Sequence, residues 1–565
     1  MRRAAAALAL ASFATSGLAQ EVAPPVAIAA PPHVRTSIYV PVRDGTRLAM
    51  NIYQPAMDGV ATPGRKPVIF AFTPYRARFR NADGKIVETA LTPRTSIVGL
   101  LRAGYVVAVA DIRGKGASFG TRRGFQDRTE ALDGRDLIEW LAKQPFSTGK
   151  VGMMGCSYLG GTTFQVATTT PPSLKAVFVG ASEIDKYGFV RRGGITAQFN
   201  TRADEPLSDD LMSLPVDGDD GTLLKAAVAQ HAGNTPMGPL WYGMPYRDSV
   251  SPLTGNPFWN EVAVYTYVGA IKKAGIATYF WSNWRDEPTA QVLQAAATLG
   301  GKFIAAPGGH CNPPDDFDLQ GEVVRYFDHY LKGVDNGIER EPRATYAVEG
   351  RPAAQKWVRS NALPGVGEPH RTYYLTAAGT LDTRPGAAGT RHFTTDYTLP
   401  PAEQFAFWVT PQGEHGLNWT GAALPAPMTS IGYPVIDVIA SVDKTDAPLF
   451  AYLEVVAADG SADVVSFGRL SAAQRKEAKA PYDTLGTPWN SGLKTDARPM
   501  VPGKPAQLRF ALTPISRVIQ AGARLRVALT GADPRQRNLQ QIRQTPAPGW
   551  TIHSATLDLP ARMDR

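Results

Sequence analysis

The chain has 565 residues, of which 44% are hydrophobic and 19% are charged, and its formal net charge is +9. This length exceeds what one ordinary hydrophobic core can organise, so two or three domains are expected. The positive charges are scattered instead of forming long basic runs, which disfavours a nucleic-acid-binding surface. The sequence also lacks zinc-type Cys/His spacing, a P-loop and a Rossmann glycine pattern, so it indicates neither a metal nor a nucleotide cofactor.

The first 19 residues have the three parts of a secretory signal peptide. Arg2 and Arg3 give a basic start, residues 4–14 form a short apolar run, and Gly17-Leu18-Ala19 supplies a small-x-small cleavage pattern. The apolar run is too short to span a bilayer, and the rest of the sequence contains no uninterrupted apolar run of about 18 residues. We therefore expect a soluble mature protein in the periplasm or secreted, with no membrane span.

Strand and helix patterns alternate through the first half of the mature chain. Residues 36–41 and 48–55 predict an antiparallel hairpin, and residues 130–143 predict an amphipathic helix. Further short apolar strands follow until residues 302–306, with helical segments between them. This alternation predicts an α/β domain with a mostly parallel sheet, formed by residues 20–193 and 262–337.

Two other regions have a different texture. Residues 194–261 mix helical stretches, such as 223–230, with Gly, Pro and Asp, and predict a helical cap inserted over the site. Residues 338–565 consist of short alternating runs separated by turn residues, a pattern typical of an all-β sandwich.

Ser157 lies in the strongest local motif of the chain. The segment Gly155-Cys156-Ser157-Tyr158-Leu159-Gly160 follows an apolar strand and opens a helix, which predicts a tight turn with the serine at its apex. A helix that begins directly after the serine points amide donors at developing negative charge. A serine hydroxyl needs a base to take its proton, so a histidine and an orienting carboxylate are expected elsewhere.

Asp286 and His310 fit that requirement in the chain order Ser, acid, His that this strand–turn–helix motif entails. Asp286 follows the predicted strand 276–281, and His310 follows the predicted strand 302–306. Parallel sheets place their sites at the carboxyl ends of strands, so both side chains are expected at one edge. The alternative reading of Asp286 is a helix N-cap.

These motifs together resemble the cocaine-esterase and X-prolyl dipeptidyl-peptidase family of α/β-hydrolases. The resemblance rests on Gly155 to Gly160, on the stretch from Asp111 to Gly120, on Thr73-Pro74-Tyr75 and on Trp284-Arg285-Asp286. It implies an α/β-hydrolase domain with a helical cap and a C-terminal jelly-roll (galactose-binding-like) domain. It also implies an oxyanion hole formed by the Tyr75 hydroxyl and the Tyr158 backbone N–H.

Cys156 and Cys311, the only two cysteines, flank the predicted nucleophile and the predicted base. If Ser157 and His310 are hydrogen-bonded, these neighbours must also be close, and an exported protein meets oxidising conditions. The arrangement is similar to the Cys-Ser…His-Cys pairing of tannase and feruloyl esterase enzymes, which implies a disulfide. Two free buried thiols are the alternative.

The predicted function is therefore hydrolysis of ester or amide bonds in small acyl substrates, without cofactor or metal. A second version is an X-Pro-type dipeptidyl-peptidase or an α-amino-acid ester hydrolase that binds the substrate's ammonium group. Asp185, Glu287 and Trp284 are candidate pocket residues for it, but the esterase is favoured. A remote alternative is a non-catalytic ligand-binding protein. The expected partner is a small-molecule or peptide substrate, and a homo-oligomer is compatible with the sequence.

Overall fold

The computed structural model describes residues 30–92, 97–196, 206–399, 408–535 and 543–564. In the described part of the first 360 residues, eleven strands form one mixed sheet and two form a separate hairpin, β5 with β6. The strands are β1 His33–Pro41, β2 Arg47–Met57, β3 Val60–Ala61, β4 Lys66–Thr73, β5 Arg78–Arg80, β6 Ile86–Glu88, β7 Val106–Asp111, β8 Ser147–Cys156, β9 Leu174–Gly180, β10 Ala277–Arg285, β11 Lys302–Gly309, β12 Ala344–Ala347 and β13 Trp357–Ser360.

The main sheet has the order β1-β2-β7-β4-β8-β9-β10-β11-β12-β13, with β3 beside β2. The strands from β7 to β12 run parallel, whereas β1, β2 and β13 are attached in antiparallel fashion. Strand β7 is buried along its whole length, which is typical of a parallel strand covered on both faces. Apolar clusters accordingly lie on both faces of the sheet.

Helices connect the parallel strands and cover the sheet. Those assigned as α-helix among the described residues are α1 Ile97–Arg102, α2 Arg128–Ala142, α3 Tyr158–Ala167, α4 Lys186–Val190, α5 Leu207–Leu211, α6 Thr222–Gln230, α7 Met237–Tyr242, α8 Phe258–Glu261, α9 Val268–Lys273, α10 Thr289–Leu299 and α11 Leu319–Phe327. The Asp127 carboxylate caps α2 by accepting the Glu130 amide at 3.0 Å, as expected of an N-cap aspartate. No helix in the described ranges is long and apolar enough to cross a bilayer.

The C-terminal region forms a second, twelve-stranded assembly with its own apolar core. Its pairs are antiparallel except for β15 with β17. Its strands are β14 His370–Leu375, β15 Thr380–Asp382, β16 Arg391–Thr394, β17 Leu417–Gly421, β18 Met428–Gly432, β19 Val435–Val442, β20 Pro448–Val456, β21 Ala462–Ser471, β22 Ala506–Ala511, β23 Ile515–Ile519, β24 Arg524–Thr530 and β25 Gly549–Met563.

The sequence-based boundary after residue 337 falls before the first sheet is complete. Strand β12 pairs in parallel with β11, and β13 pairs with β12, so both belong to the hydrolase sheet. The turn-rich spacing of these two strands is similar to that of the β-rich region that follows them. Pairing between strands about 40 residues apart is not encoded in local patterns, so the sequence could not show that these two strands extend the first sheet.

Candidate functional site

Ser157 occupies a strained turn between β8 and α3. Its φ of 62° and ψ of −129° are rarely adopted by a residue with a side chain, and such outliers concentrate at functional sites. The Ser157 amide donates a hydrogen bond to the Gly180 carbonyl oxygen at 3.1 Å, which fixes the turn against β9. The serine is only partly buried.

Glycines on either side of Ser157 make this turn sterically feasible. A Cβ atom on Gly155 would lie 2.3 Å from the Cβ atom of Leu159. A Cβ atom on Gly160 would lie 2.1 Å from the Gly180 carbonyl oxygen. The small residues therefore let α3 start immediately and pack closely on β9.

Asp286 and His310 emerge side by side from two neighbouring parallel strands. The last residues of β10 and β11, Arg285 and Gly309, are partners in the sheet register. His310 Nδ1 lies 3.0 Å from Asp286 Oδ1 and 2.9 Å from Asp286 Oδ2. Asp286 is fully buried, and burial raises its pKa above the ordinary value while the nearby His310 opposes that change. This contact is the one a carboxylate needs to hold the imidazole ring and to stabilise its charged form.

A disulfide joins Cys156 to Cys311, with 6.0 Å between the two Cα atoms. The predicted bridge is thereby confirmed. It ties the residue before Ser157 to the residue after His310, across 155 positions of sequence. The serine and the histidine consequently flank one covalent link at the carboxyl ends of β8 and β11. Such bridges are typical of proteins outside the reducing cytoplasm.

Tyr75 lies beside the serine. Its hydroxyl oxygen is 3.4 Å from Ser157 Oγ, and the residue is 43% exposed. The Tyr75 amide donates to Thr73 Oγ1 at 3.0 Å, which shapes the turn after β4. This hydroxyl group is thus placed where it can donate to an oxygen that develops next to the nucleophile.

Asp111, the first residue of the Asp111 to Gly120 stretch on which the family resemblance rests, supports the turn that contains Tyr75. Its carboxylate accepts the Ala77 amide at 2.6 Å and the Ala117 amide at 2.9 Å. Gly116 is required there, since a Cβ atom would come within 2.4 Å of that carboxylate. This stretch therefore holds the turn that presents Tyr75, a role that its motif alone does not indicate.

Tyr158 is the first residue of α3, and its backbone N–H is among the helix's initial amides, which have no partner within the helix. Its side chain turns inward instead of toward a substrate. The hydroxyl group donates to Glu130 Oε2 at 2.8 Å and accepts from Arg122 at 2.7 Å. Burial raises the pKa of Glu130 to about 8. Glu130 and Arg122 could not be recognised from the sequence, because neither lies near the serine in the chain.

The three candidate pocket residues all have other partners. The Asp185 carboxylate accepts two hydrogen bonds from Arg247, at 2.7 and 2.8 Å, and caps α4. Glu287 accepts from Arg535 at 2.7 Å; burial opposes its ionisation, but neighbouring arginines lower its pKa to about 2. Trp284 is core-packed, with its indole N–H donating to the Ala347 carbonyl at 2.7 Å. A pocket role for these residues stays a prediction that their contacts weigh against.

The parallel sheet, the strained serine turn and the acid–histidine pair at adjacent strand ends define a serine hydrolase of the α/β type. Residues 44–312 match the X-Pro dipeptidyl-peptidase (S15 family) model, and residues 336–545 match the X-Pro dipeptidyl-peptidase C-terminal non-catalytic domain. The chain therefore contains both the peptidase-type domain and the C-terminal domain that these models describe, and the resemblance inferred from the motifs is confirmed.

Known relatives agree with this assignment. A candidate serine esterase of Mycobacterium bovis is 28% identical over 88% of this chain and 90% of its own. The cocaine esterase of a Rhodococcus species is 24% identical over 62% of this chain and 64% of its own. A cocaine-esterase-type (CocE/NonD) hydrolase of Staphylococcus aureus has a similar fold, with a TM-score of 0.70, 17% identity and 93% of each chain covered.

Proposed function

We propose that this protein hydrolyses carboxylic esters through Ser157, His310 and Asp286. His310 takes the proton of Ser157 as its oxygen bonds to the acyl carbon, and then returns that proton to the departing alcohol. Water, deprotonated by the same imidazole, then releases the acid and restores the serine. The observation that carries the proposal is the Cys156–Cys311 bridge, which flanks the serine and the histidine, together with the His310–Asp286 contact.

The oxyanion hole is proposed to consist of the Tyr75 hydroxyl group and the Tyr158 backbone N–H. The separation of 3.4 Å between Tyr75 and Ser157 oxygens supports the first donor. The position of Tyr158 at the start of α3 supports the second. Each donor aimed at the tetrahedral oxygen contributes about 3 kcal/mol to lowering the barrier.

The contacts of the buried carboxylates favour an esterase over an enzyme that recognises a free ammonium group. Such recognition needs a carboxylate available to the ligand. Asp185 is already engaged by Arg247, and Glu287 by Arg535, in geometries that satisfy both charges. An X-Pro dipeptidyl-peptidase activity remains the second candidate because that is the activity named by the matching family model.

A pair of matched esters separates the two candidates. We expect phenylglycine methyl ester and its N-acetyl derivative to be hydrolysed at similar kcat/KM, and Ala-Pro-p-nitroanilide to be cleaved poorly. The Ser157→Ala variant is the control for every substrate. If acetylation of the amino group reduces kcat/KM roughly 100-fold or more, the enzyme recognises the ammonium group, and the preference for an esterase that does not is refuted.

We further propose that the mature protein is exported after loss of residues 1–19, that residues 194–261 form a cap, and that the C-terminal domain is a jelly roll. The disulfide supports export, because such bonds persist in oxidising compartments. Helices α5 to α8 support the cap. The almost entirely antiparallel pairing of β14 to β25 supports the jelly roll.

A further inference from the structure

A cavity of about 140 Å³ lies between the hydrolase domain and the C-terminal β-domain. From the hydrolase side it is bounded by α4, the turn after α4 and α10. From the other side it is bounded by β21, β22 and the loop 487–492. Its wall includes none of the proposed catalytic residues Ser157, Asp286, His310 and Tyr75. Its nearest link to them is Glu287, the chain neighbour of Asp286, which lies 3.5 Å from Arg192 of the wall.

The wall of this cavity carries an excess of positive charge. Its lining arginines are Arg191, Arg192, Arg247 and Arg469, and the carboxylate in the described wall is that of Asp185. Arg247 pairs with Asp185 through both terminal nitrogens. The charge of that pair is balanced. Arg192 and Arg469 lie 3.5 and 3.7 Å from Glu287, whose carboxylate also pairs with Arg535, so the positive charge around the cavity is only partly offset and still attracts an anion.

Among the four arginines of this wall, Arg469 has the fewest polar partners within the described residues. It is 3% exposed, yet within the described chain none of its three guanidinium nitrogens makes a hydrogen bond. Its Nη1 atom is 3.7 Å from Glu287 Oε1, which already accepts from Arg535 at 2.7 Å. Burial lowers the pKa of Arg469 to about 10, although Glu287 opposes this. Buried N–H donors normally have hydrogen-bond partners, so the unbonded guanidinium nitrogens of Arg469 indicate a ligand.

Aromatic side chains form much of the remaining wall. The rings of Tyr187 and Trp489 flank Arg247, with 4.6 and 4.9 Å from its guanidinium carbon to their centroids. Tyr433 and Tyr482 add two further rings. An engineered cavity of about 150 Å³ in another protein holds a benzene molecule, so this space suits a ligand with one ring.

We propose that this cavity binds a small aromatic or aliphatic monocarboxylate, with the carboxylate on the Arg469 guanidinium and the apolar body against the aromatic wall. The planar fork of an arginine matches the two oxygens of a carboxylate. Such a ligand would satisfy donors that the described protein leaves unbonded. The proposal does not depend on the ester-hydrolase assignment, because none of the proposed catalytic residues lines this cavity.

Calorimetric titration of the full-length protein with benzoate tests the proposal. We expect saturable binding of benzoate, and binding of the neutral isostere benzamide that is roughly tenfold weaker or more. Arg469→Gln is expected to weaken benzoate binding by a similar factor. Arg517→Gln is the matched control, because Arg517 pairs with Asp463 outside the cavity and should leave binding unchanged.

A second variant and a labelled sample provide two further tests. If Arg469→Gln does not fold, Gln474→Glu adds a carboxylate to the wall and should also weaken benzoate. Protein labelled at Ser157 with a fluorophosphonate should still bind benzoate. The proposal is overturned if the wild-type protein does not bind benzoate, or if it binds benzamide or inorganic phosphate as tightly as benzoate. It is also overturned if Arg469→Gln binds benzoate as tightly as the wild type, or if the label at Ser157 abolishes benzoate binding.

Discussion

Removing the Cys156–Cys311 bridge is expected to lower both stability and turnover. The bridge closes a loop of 155 residues, and the chain-entropy relation assigns such a loop about 5 kcal/mol of unfolding free energy. Strain and residual structure reduce this value in practice, so we expect a loss of about 2–5 kcal/mol. Because the bridge also sets the spacing of Ser157 and His310, and a shift of about 1 Å can cost 100-fold, we expect kcat to fall roughly 10- to 100-fold.

Urea unfolding and ester turnover measure both effects on three samples. These are oxidised wild type, reduced wild type and the Cys156→Ala/Cys311→Ala variant. Reductant should act on the wild type and leave the double variant unchanged, because the chain has only these two cysteines. A double variant with the unfolding midpoint and kcat of oxidised wild type would refute the role given to the bridge.

Three substitutions address single parts of the site. Tyr75→Phe should lower kcat about 100-fold at nearly constant KM, because only the oxyanion loses a donor; an unchanged kcat would remove Tyr75 from the oxyanion hole. Asp286→Asn should lower kcat about 10⁴-fold with an unchanged circular dichroism spectrum, and a variant retaining a tenth of wild-type kcat would contradict the triad. Gly160→Ala should reduce the unfolding free energy, since its Cβ atom would lie 2.1 Å from the Gly180 carbonyl oxygen. Gly269→Ala is its control, with no atom within 4 Å of the new Cβ, and equal unfolding midpoints for the two variants would contradict this packing argument.

The candidate triad could be predicted because each member follows a strand with a clear local signature. Gly155 and Gly160 mark the serine turn, and apolar strands directly precede Asp286 and His310. Neighbouring parallel strands end at the same edge, so residues that follow them converge without any further information. The register of β10 with β11 agrees with that rule, because Arg285 and Gly309, the residues before Asp286 and His310, are partners.

The remainder depends on contacts between distant segments. Arg247 and Arg535 neutralise Asp185 and Glu287, and the second pair is 248 positions apart in the chain. No periodicity or spacing connects such residues, so the sequence made both carboxylates appear available to a ligand. The support that Asp111 gives to the Tyr75 turn is also a contact between loops.

Covalent labelling with a fluorophosphonate probe tests the central claim most directly, because the probe reacts with a serine only when a neighbouring base activates it. Intact-mass and peptide analysis should find one adduct on wild type, located at Ser157, and none on Ser157→Ala. Folded wild-type protein that stays unlabelled, or that carries the adduct on another residue, would contradict the assignment of Ser157 as the nucleophile.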